Sequence, residues 1–198
     1  MKLLVATKNR GKVRELELLF AEVPGIELVS LADLPGAPEV DEDGATFEAN
    51  AVKKACEYAA FAGLTTLADD SGLEVDALGG APGVCSARFA REHDDAANNA
   101  LLLERLAGVP DAERTARFRC VLALAEPSGA PVRITDGRVE GRIARAPRGN
   151  HGFGYDPLFL VERGDRTMAE LEPGDKSALS HRGRAARAMI PILRELAR

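Results

Sequence analysis

Apolar positions recur along this chain first at helical spacing and later in alternation, and the change of rhythm divides it. Leu3, Leu4, Val5 and Ala6 form an unbroken run that predicts a short buried strand over residues 2–6. A polar turn follows over residues 7–11. Val13, Leu16, Leu19 and Phe20 then mark one face of a helix. A second strand is expected over residues 26–30. Pro35, Gly36 and Pro38 open an irregular connection into the acidic loop Glu39-Val-Asp-Glu-Asp-Gly44. Thr46 suits the cap of a second helix, in which Phe47, Ala51, Ala55, Tyr58 and Ala62 recur at helical spacing and Asn50 lies on the inward edge. Residues 64–68 predict a strand that ends in Asp69, Asp70, Ser71 and Gly72, and residues 73–78 resume the alternation. After the loop Gly79-Gly-Ala-Pro-Gly83, a third helix is expected over residues 96–106, closing near Gly108 and Pro110.

Beyond that point strands dominate. Residues 115–125, 132–135 and 137–144 predict a three-stranded meander, and Arg117-Phe-Arg-Cys-Val-Leu122 alternates as a sheet with one wet face does. Ser180 suits the cap of a last helix with Ala186, Met189, Ile190, Leu193 and Leu196 on its apolar stripe; Pro191 is expected to kink it. Helices and strands that alternate early and strands that cluster late predict an α/β fold with a mixed sheet, not a uniformly doubly wound one.

Composition adds limits to this picture. With 198 residues, 45% hydrophobic, the chain can bury a core without staples and reads as one domain over residues 1–198. The three cysteines, Cys56, Cys85 and Cys120, are far apart with no metal-ligand spacing, so reduced thiols in a cytoplasmic protein are expected. The apolar part of the amino terminus is too short for a signal peptide, and no apolar run approaches the ~18 residues of a membrane span. A net charge of −5 argues against a nucleic-acid binder. Positive charge is nevertheless concentrated at Lys8, Arg10, Lys12 and Arg14, and again at Lys176, His181, Arg182, Arg184 and Arg187, which suits a small polyanion.

Four segments carry chemistry. Ala6-Thr-Lys-Asn-Arg-Gly-Lys-Val13 lies between a strand and a helix, where a phosphate loop would lie. It fails the Walker A pattern at both ends, with Ala6 in place of the first glycine and Val13 in place of the final Ser/Thr. The helix start still offers free N–H groups to an anion, and Lys12 sits in the first turn, where the helix dipole disfavours a cation that lacks a negative partner. The second set is acidic: Asp41, Glu42 and Asp43 in one loop, Asp69 and Asp70 at a strand end, where α/β sheets place ligands. A carboxylate from each suits Mg²⁺, which one or two carboxylates hold together with waters and substrate phosphates. In the third, Gly149-Asn-His-Gly-Phe-Gly-Tyr-Asp-Pro157, glycines leave Phe153 little shielded, a stacking surface for a base, and Asp156 can accept hydrogen bonds from a base edge. The fourth, Asp175-Lys-Ser-Ala-Leu-Ser-His-Arg182, gathers the donors of Lys176, His181 and Arg182.

Taken together with Thr46-Phe-Glu-Ala-Asn-Ala51, Ala68-Asp-Asp-Ser-Gly-Leu73 and Gly80-Ala-Pro-Gly83 with Ser86-Ala-Arg88, these segments resemble, in order and over nearly the whole chain, the inosine triphosphate pyrophosphatase family, the dITP/XTP pyrophosphatases that remove non-standard purine nucleotides. The resemblance implies a homodimer of two-lobed subunits, each with an elongated central mixed sheet flanked by helices and a nucleotide cleft between lobes. It implies Mg²⁺-dependent cleavage between the α- and β-phosphates to the monophosphate and pyrophosphate. By position, Thr7, Lys8, Asn9, Arg10, Gly11 and Lys12 would grip the triphosphate. Asp70 would be the catalytic base and a metal contact, with Asp41 as the other metal carboxylate and Ser71 touching substrate. Phe153, Gly154, Tyr155, Asp156, Lys176, His181 and Arg182 would bind and read the purine. Two positions depart from the family's pattern: Asp41 stands where a glutamate is usual, which brings Glu42 or a water into consideration, and Ala49 stands where a glutamate is common. A related pyrophosphatase with another base preference and a catalytically silent nucleotide-binding regulator are the alternatives. The second is disfavoured by Asp69-Asp70, since binding a polyanion does not call for added negative charge.

Overall fold

The strand expected to stop at Ala68 runs on. The computed structural model of the protein describes residues 1–130, 132–161 and 165–198. In it Thr65–Val75 is one strand, β3, with Asp69 and Asp70 in its middle. Successive side chains of a strand point to opposite faces. The two carboxylates therefore never face each other, and the backbone has no need to turn away.

A second expectation is corrected in the same way. Residues 132–135 and 137–144 are not two strands around a turn at Asp136-Gly137; Arg133–Ile143 is a single strand, β5. Burial alternates straight through the supposed turn, with Gly137, Val139, Gly141 and Ile143 inside and Asp136, Arg138 and Arg142 outside. The period-two pattern outweighs the local turn propensity of Asp-Gly. The remaining strands are β1 (Lys2–Val5), β2 (Glu27–Ser30), β4 (Thr115–Ala125) and β6 (Phe159–Val161), the last too short for the sequence pattern to reveal. Together they form one sheet in the order β2-β1-β3-β4-β5-β6. β1 is parallel to β2 and β3, and β5 is antiparallel to β6, so the sheet is mixed, as expected.

The helices α1 (Arg10–Phe20), α2 (Phe47–Ala62) and α3 (Asp95–Arg105) lie where apolar periodicity placed them. Asn9, Thr46 and Asp94 cap them, each accepting a backbone N–H of the first turn on its side-chain oxygen. Residues 173–179 were not expected to be helical. Pro173–Leu179 forms a short helix, α4, with its proline at the first position, where the missing N–H costs nothing. Ser180 separates it from α5 (His181–Leu196), which contains Pro191. Among the described residues no helix is long and apolar enough to cross a membrane.

The chain divides into two compact units. The first comprises Met1–Asp70, Cys120–Gly137 and Arg182–Arg198. Its core joins alternate residues of three strands (Leu3 and Val5, Leu67, and Cys120, Leu122 and Leu124) to Leu16 and Phe20 of α1 and Ala185, Met189 and Leu193 of α5. By the same alternation Asp69 shares the face of Leu67, toward α1 and α5, whereas Asp70 points to the opposite face.

The second unit comprises Ser71–Arg119 and Arg138–His181. Leu73, Val75, Phe118, Ile143, Leu158 and Phe159 pack there with Leu102 and Leu106 of α3. Arg114, buried, donates to the carbonyls of Leu106, Ile143 and Ala144 at 2.7, 2.8 and 2.9 Å, so one guanidinium satisfies groups at the ends of α3 and β5.

Gly72 sits where this second unit leaves no room for a side chain. Ser86 Oγ donates to Gly83 O at 2.6 Å and accepts the Leu73 N–H at 2.9 Å, and a Cβ at position 72 would stand 2.4 Å from that oxygen. Gly72→Ala is expected to displace the turn over residues 83–88 and cost about 1–3 kcal/mol. A urea unfolding midpoint equal to that of the parent protein contradicts this.

Candidate functional site

In the first unit the site begins at the entry to α1. Asn9 Oδ1 accepts the N–H groups of Gly11 and Lys12 at 2.8 and 3.1 Å, and the Asn9 N–H donates to Thr7 Oγ1 at 3.1 Å. The turn is thereby held open-ended, with Lys8 and Arg10 exposed beside it. No acidic residue occupies the first turn of α1. Lys12 finds its negative partner elsewhere: its Nζ lies 2.6 Å from Asp69 Oδ1.

Asp69 is fully buried and surrounded by donors. Arg182 Nε donates to its Oδ2 at 2.8 Å, and the Cys120 thiol donates to the same oxygen at 3.2 Å. Burial alone would raise the Asp69 pKa; Arg182 and Lys12 outweigh it and hold the carboxyl well below its ordinary range. Burial beside that carboxylate keeps Cys120 a thiol, with its pKa pushed well up. Burial likewise works against the Arg182 charge, but Asp69 and Glu15 hold its pKa well above the ordinary value.

Asp70, on the opposite face of β3, meets α2. Lys54 Nζ lies 3.1 Å from Asp70 Oδ1 and 2.6 Å from Glu42 Oε1, and it donates to the Asp69 carbonyl at 2.9 Å. Asn50 Nδ2 donates to Asp70 Oδ2 at 3.3 Å, while Asn50 Oδ1 accepts the Gly44 N–H at 2.7 Å and so ties the acidic loop to the helix. A Cβ at Gly44 would stand 2.6 Å from that oxygen, which is why glycine ends the loop. Burial lifts the Asp70 pKa above the ordinary carboxylate value; Lys54 and Lys12 pull it back only in part, and Glu42 adds to the lift. Burial opposes the Lys54 charge, yet Asp70 and Glu42 hold its pKa above the ordinary lysine value. Two carboxylates thus share one cationic group. Of the loop acids, Glu42 is the one that reaches it. Asp41 is exposed, and Asp43 pairs at the surface with Lys53, at 2.8 Å.

The second unit holds another constellation. Asp156 Oδ2 accepts the Phe153 N–H at 2.9 Å and lies 2.5 Å from Lys176 Nζ, which stands 4.8 Å from the centroid of the half-buried Phe153 ring. Gly152 has a left-handed φ of 79°, and a Cβ there would meet Asp156 Oδ2 at 2.1 Å, so the turn requires glycine. Gly154 is held on both sides by α3: its N–H donates to Asp95 Oδ2 at 2.7 Å, and its carbonyl accepts from Asn99 Nδ2 at 2.9 Å. Tyr155 donates to the Ser86 carbonyl at 2.8 Å, and burial raises its pKa. His181 is buried and stacked on Phe118, with ring centroids 4.8 Å apart.

Sequence reasoning gathered most of these residues but assigned few of their partners. Lys54 was missed, although a lysine four residues after Asn50 on the inward stripe of α2 was a visible signal. Glu15, one turn beyond Lys12 on α1, and Cys120 were missed as well. Lys176 and Arg182, close in sequence, belong to different units: Lys176 meets Asp156, and Arg182 meets Asp69 and Glu15.

The model of the Ham1 family matches residues 3–192. A dITP/XTP pyrophosphatase of Desulforamulus reducens is 55% identical over 99% of this chain and 97% of its own length. Another, from an Exiguobacterium species, is 57% identical over 98% of this chain and all of its own. Among solved structures, a HAM1 protein from Coxiella burnetii superimposes with a TM-score of 0.88 at 41% identity, covering 98% of this chain and 99% of that one. A nucleoside-triphosphatase / dITP/XTP pyrophosphatase from Mycobacterium abscessus gives 0.77 at 52% identity, covering 98% and 100%.

The opposite settings of the two aspartates predict opposite stability effects. Asp69, with a depressed folded pKa, contributes stability above the ordinary carboxylate range that is lost as pH falls through its folded value. Asp70, with a raised folded pKa, costs stability as pH rises through that value. At neutral pH Asp69→Asn is therefore expected to melt lower, by about 3–5 kcal/mol of stability for breaking a buried ion pair. Asp70→Asn is expected to lower the melting temperature less than Asp69→Asn, because Glu42 still pairs with Lys54 and the raised folded pKa of Asp70 offsets part of the loss. Thermal melts from pH 3 to 8 check this, and a larger loss in Asp70→Asn at neutral pH contradicts it.

Proposed function

The chain belongs to the Ham1 family, and from that membership we propose that it is a dITP/XTP pyrophosphatase, a cytoplasmic enzyme that hydrolyses non-standard purine nucleoside triphosphates to the monophosphate and pyrophosphate. The observation that carries the chemistry is Asp70: a buried carboxylate with a raised pKa, oriented by Asn50 and Lys54, on the strand that also carries the partner of Lys12. A binding protein for polyanions has no use for such a group. A hydrolase has, because attack on a phosphoanhydride needs an aligned water and a base to take its proton.

In this reading Thr7, Lys8, Asn9, Arg10, Gly11 and Lys12 receive the triphosphate, the free N–H groups and side-chain cations offsetting its charge. Ser71 follows Asp70 along β3 and touches substrate. Asp70 accepts a proton from water as the water oxygen bonds to the α-phosphorus. The bond from that phosphorus to the α–β bridging oxygen breaks, and pyrophosphate leaves with the electron pair, neutralised by Lys12. The donor set around Asp70 suits Mg²⁺, since Glu42 and Asp70 already converge on one cationic group and the ion is held by one or two carboxylates with substrate phosphates. Asp70 would hold it with a carboxylate of the 41–43 loop, Glu42 being better directed than Asp41. When bound, Mg²⁺ neutralises phosphate charge.

The base is assigned to Phe153, Gly154, Tyr155, Asp156, Lys176, His181 and Arg182. Phe153 offers a ring to stack on, and Asp156 and Lys176, locked on each other, present an acceptor and a donor to a base edge. A 6-oxo purine carries an acceptor where adenine carries an amino donor, so the Lys176 ammonium favours the former. The family resemblance adds a homodimer.

Incubation with ITP, dITP, XTP, GTP or ATP and Mg²⁺ is expected to yield IMP and pyrophosphate from ITP, with little turnover of ATP. IDP and phosphate as products would refute cleavage at the α–β bond. Asp70→Asn is expected to keep the fold and lose turnover by about 10²–10⁴-fold, and near-normal activity would remove Asp70 from the chemistry. Light scattering of the purified protein should give twice the monomer mass; a monomer mass would refute the dimer.

A further inference from the structure

Two side chains of α3 reach the loop that carries Phe153, and neither is marked by the sequence pattern. Asp95 and Asn99 are four residues apart, hence neighbours on one face of the helix. Asp95 Oδ2 accepts the Gly154 N–H at 2.7 Å, and Asn99 Nδ2 donates to the Gly154 carbonyl at 2.9 Å. The two bonds hold the peptide groups on either side of the Gly154 Cα. Gly154 has a left-handed φ of 62°, and a Cβ there would meet nothing within 4 Å. Packing therefore does not fix this residue, and glycine changes conformation at little cost. The pair of bonds from α3 fixes it.

Neither side chain is needed by the helix itself. Asp94 already caps α3, its Oδ1 accepting the Ala97 N–H at 2.9 Å. Asn99 Oδ1 is buried and accepts no hydrogen bond among the described residues, so the donation to Gly154 is all that the amide does. A buried acceptor left unpaired is costly, and an apolar side chain at position 99 would avoid that cost. On the loop side, Asp156 Oδ2 accepts the Phe153 N–H at 2.9 Å, and the Asp156 N–H donates back to the Phe153 carbonyl at 3.3 Å. Asp156 thus closes the loop on itself before Phe153, and α3 grips the peptide immediately after it. The Lys176 ammonium stands over the ring between these two restraints, 4.8 Å from its centroid.

We propose that Asp95 and Asn99 are positioning residues for base recognition: they hold Gly154, and through it the Phe153 ring, in the orientation on which a purine stacks. This rests on the pyrophosphatase reading only in taking Phe153 as the surface that receives the base. A ring joined to an unrestrained left-handed glycine swings with it. Bonded to a helix on both sides of that glycine, the ring is set before the base arrives, and binding does not have to order it.

Asn99→Leu removes the donor and the unpaired acceptor together, and Asp95→Ala leaves the Asp94 cap in place. Each is expected to raise KM for ITP by about tenfold, within what stacking of a base on an aromatic contributes, while kcat changes by less than about twofold. Asp95→Asn, which keeps an acceptor oxygen, is expected to recover most of that loss. A double-mutant cycle reads the route through the ring: in a Phe153→Ala background, Asn99→Leu is expected to change KM no further. A parent-like KM in both single variants, a fall in kcat with KM unchanged, or the full tenfold added in the Phe153→Ala background overturns the proposal. Should Asn99→Leu not fold, judged by circular dichroism, Asp95→Ala and its own cycle with Phe153→Ala decide alone. A parent protein that binds ITP by calorimetry but leaves it intact refutes the pyrophosphatase reading, and the same cycle is then read in dissociation constants. A parent protein that does not bind ITP overturns both.

Discussion

Two carboxylates in consecutive positions of a buried strand set the central constraint on this protein. Ionised and desolvated together, Asp69 and Asp70 would be intolerable if they faced one another. The strand separates them by pointing one to each face, and each face then supplies its own cations. On one side Arg182 and Lys12 outweigh burial and hold Asp69 well below its ordinary pKa; on the other burial lifts Asp70 above it, Lys54 and Lys12 pull it back only in part, and Glu42 adds to the lift. The neighbours thus diverge. One carboxyl is held well below its ordinary pKa and the other is raised above it.

That constraint recruits elements from all along the chain. α1 must begin where Lys12 reaches Asp69, α2 must direct Asn50 and Lys54 inward from an otherwise apolar stripe, and α5 must deliver Arg182 in its first turn. Glycines serve the same end. Gly44 lets the acidic loop approach Asn50, and Gly72 lets β3 approach Ser86 immediately after the carboxylates. In the second unit the Phe153 loop is treated likewise, with Asp156, Lys176, Asp95 and Asn99 all spending their polar groups on the shape of a short glycine-rich turn. Polar groups so thoroughly engaged leave the loop little conformational freedom.

Much of this was legible in the sequence. Apolar periodicity located α1, α2 and α5, α3 lies within a residue of its expected bounds, the capping residue Thr46 stood at the expected start, and β4 fell where the alternation put it. Two of the misses share one cause. Asp136-Gly137 and Asp69-Asp70-Ser71-Gly72 look like turns by local propensity, and both are strand interiors because neighbouring strands and compensating charges outweigh that propensity. β6 and α4 are too short for periodicity to show.

The order of motifs along the chain was enough to identify the family and the residue types its chemistry needs, because those depend on composition at fixed spacings. Which cation answers which carboxylate was not. Arg182 and Asp69 are 113 positions apart, and Lys54 reaches Glu42 and Asp70 from a helix whose inward face a hydrophobic pattern marks only as buried. Coulombic partnership depends on distance and burial, and only the folded chain brings such remote groups within a few ångströms in a medium that screens them little. The sequence alone therefore determined what the site is made of, and the tertiary structure decided that Asp69 pairs with Lys12 and Arg182 while Asp70 and Glu42 share Lys54.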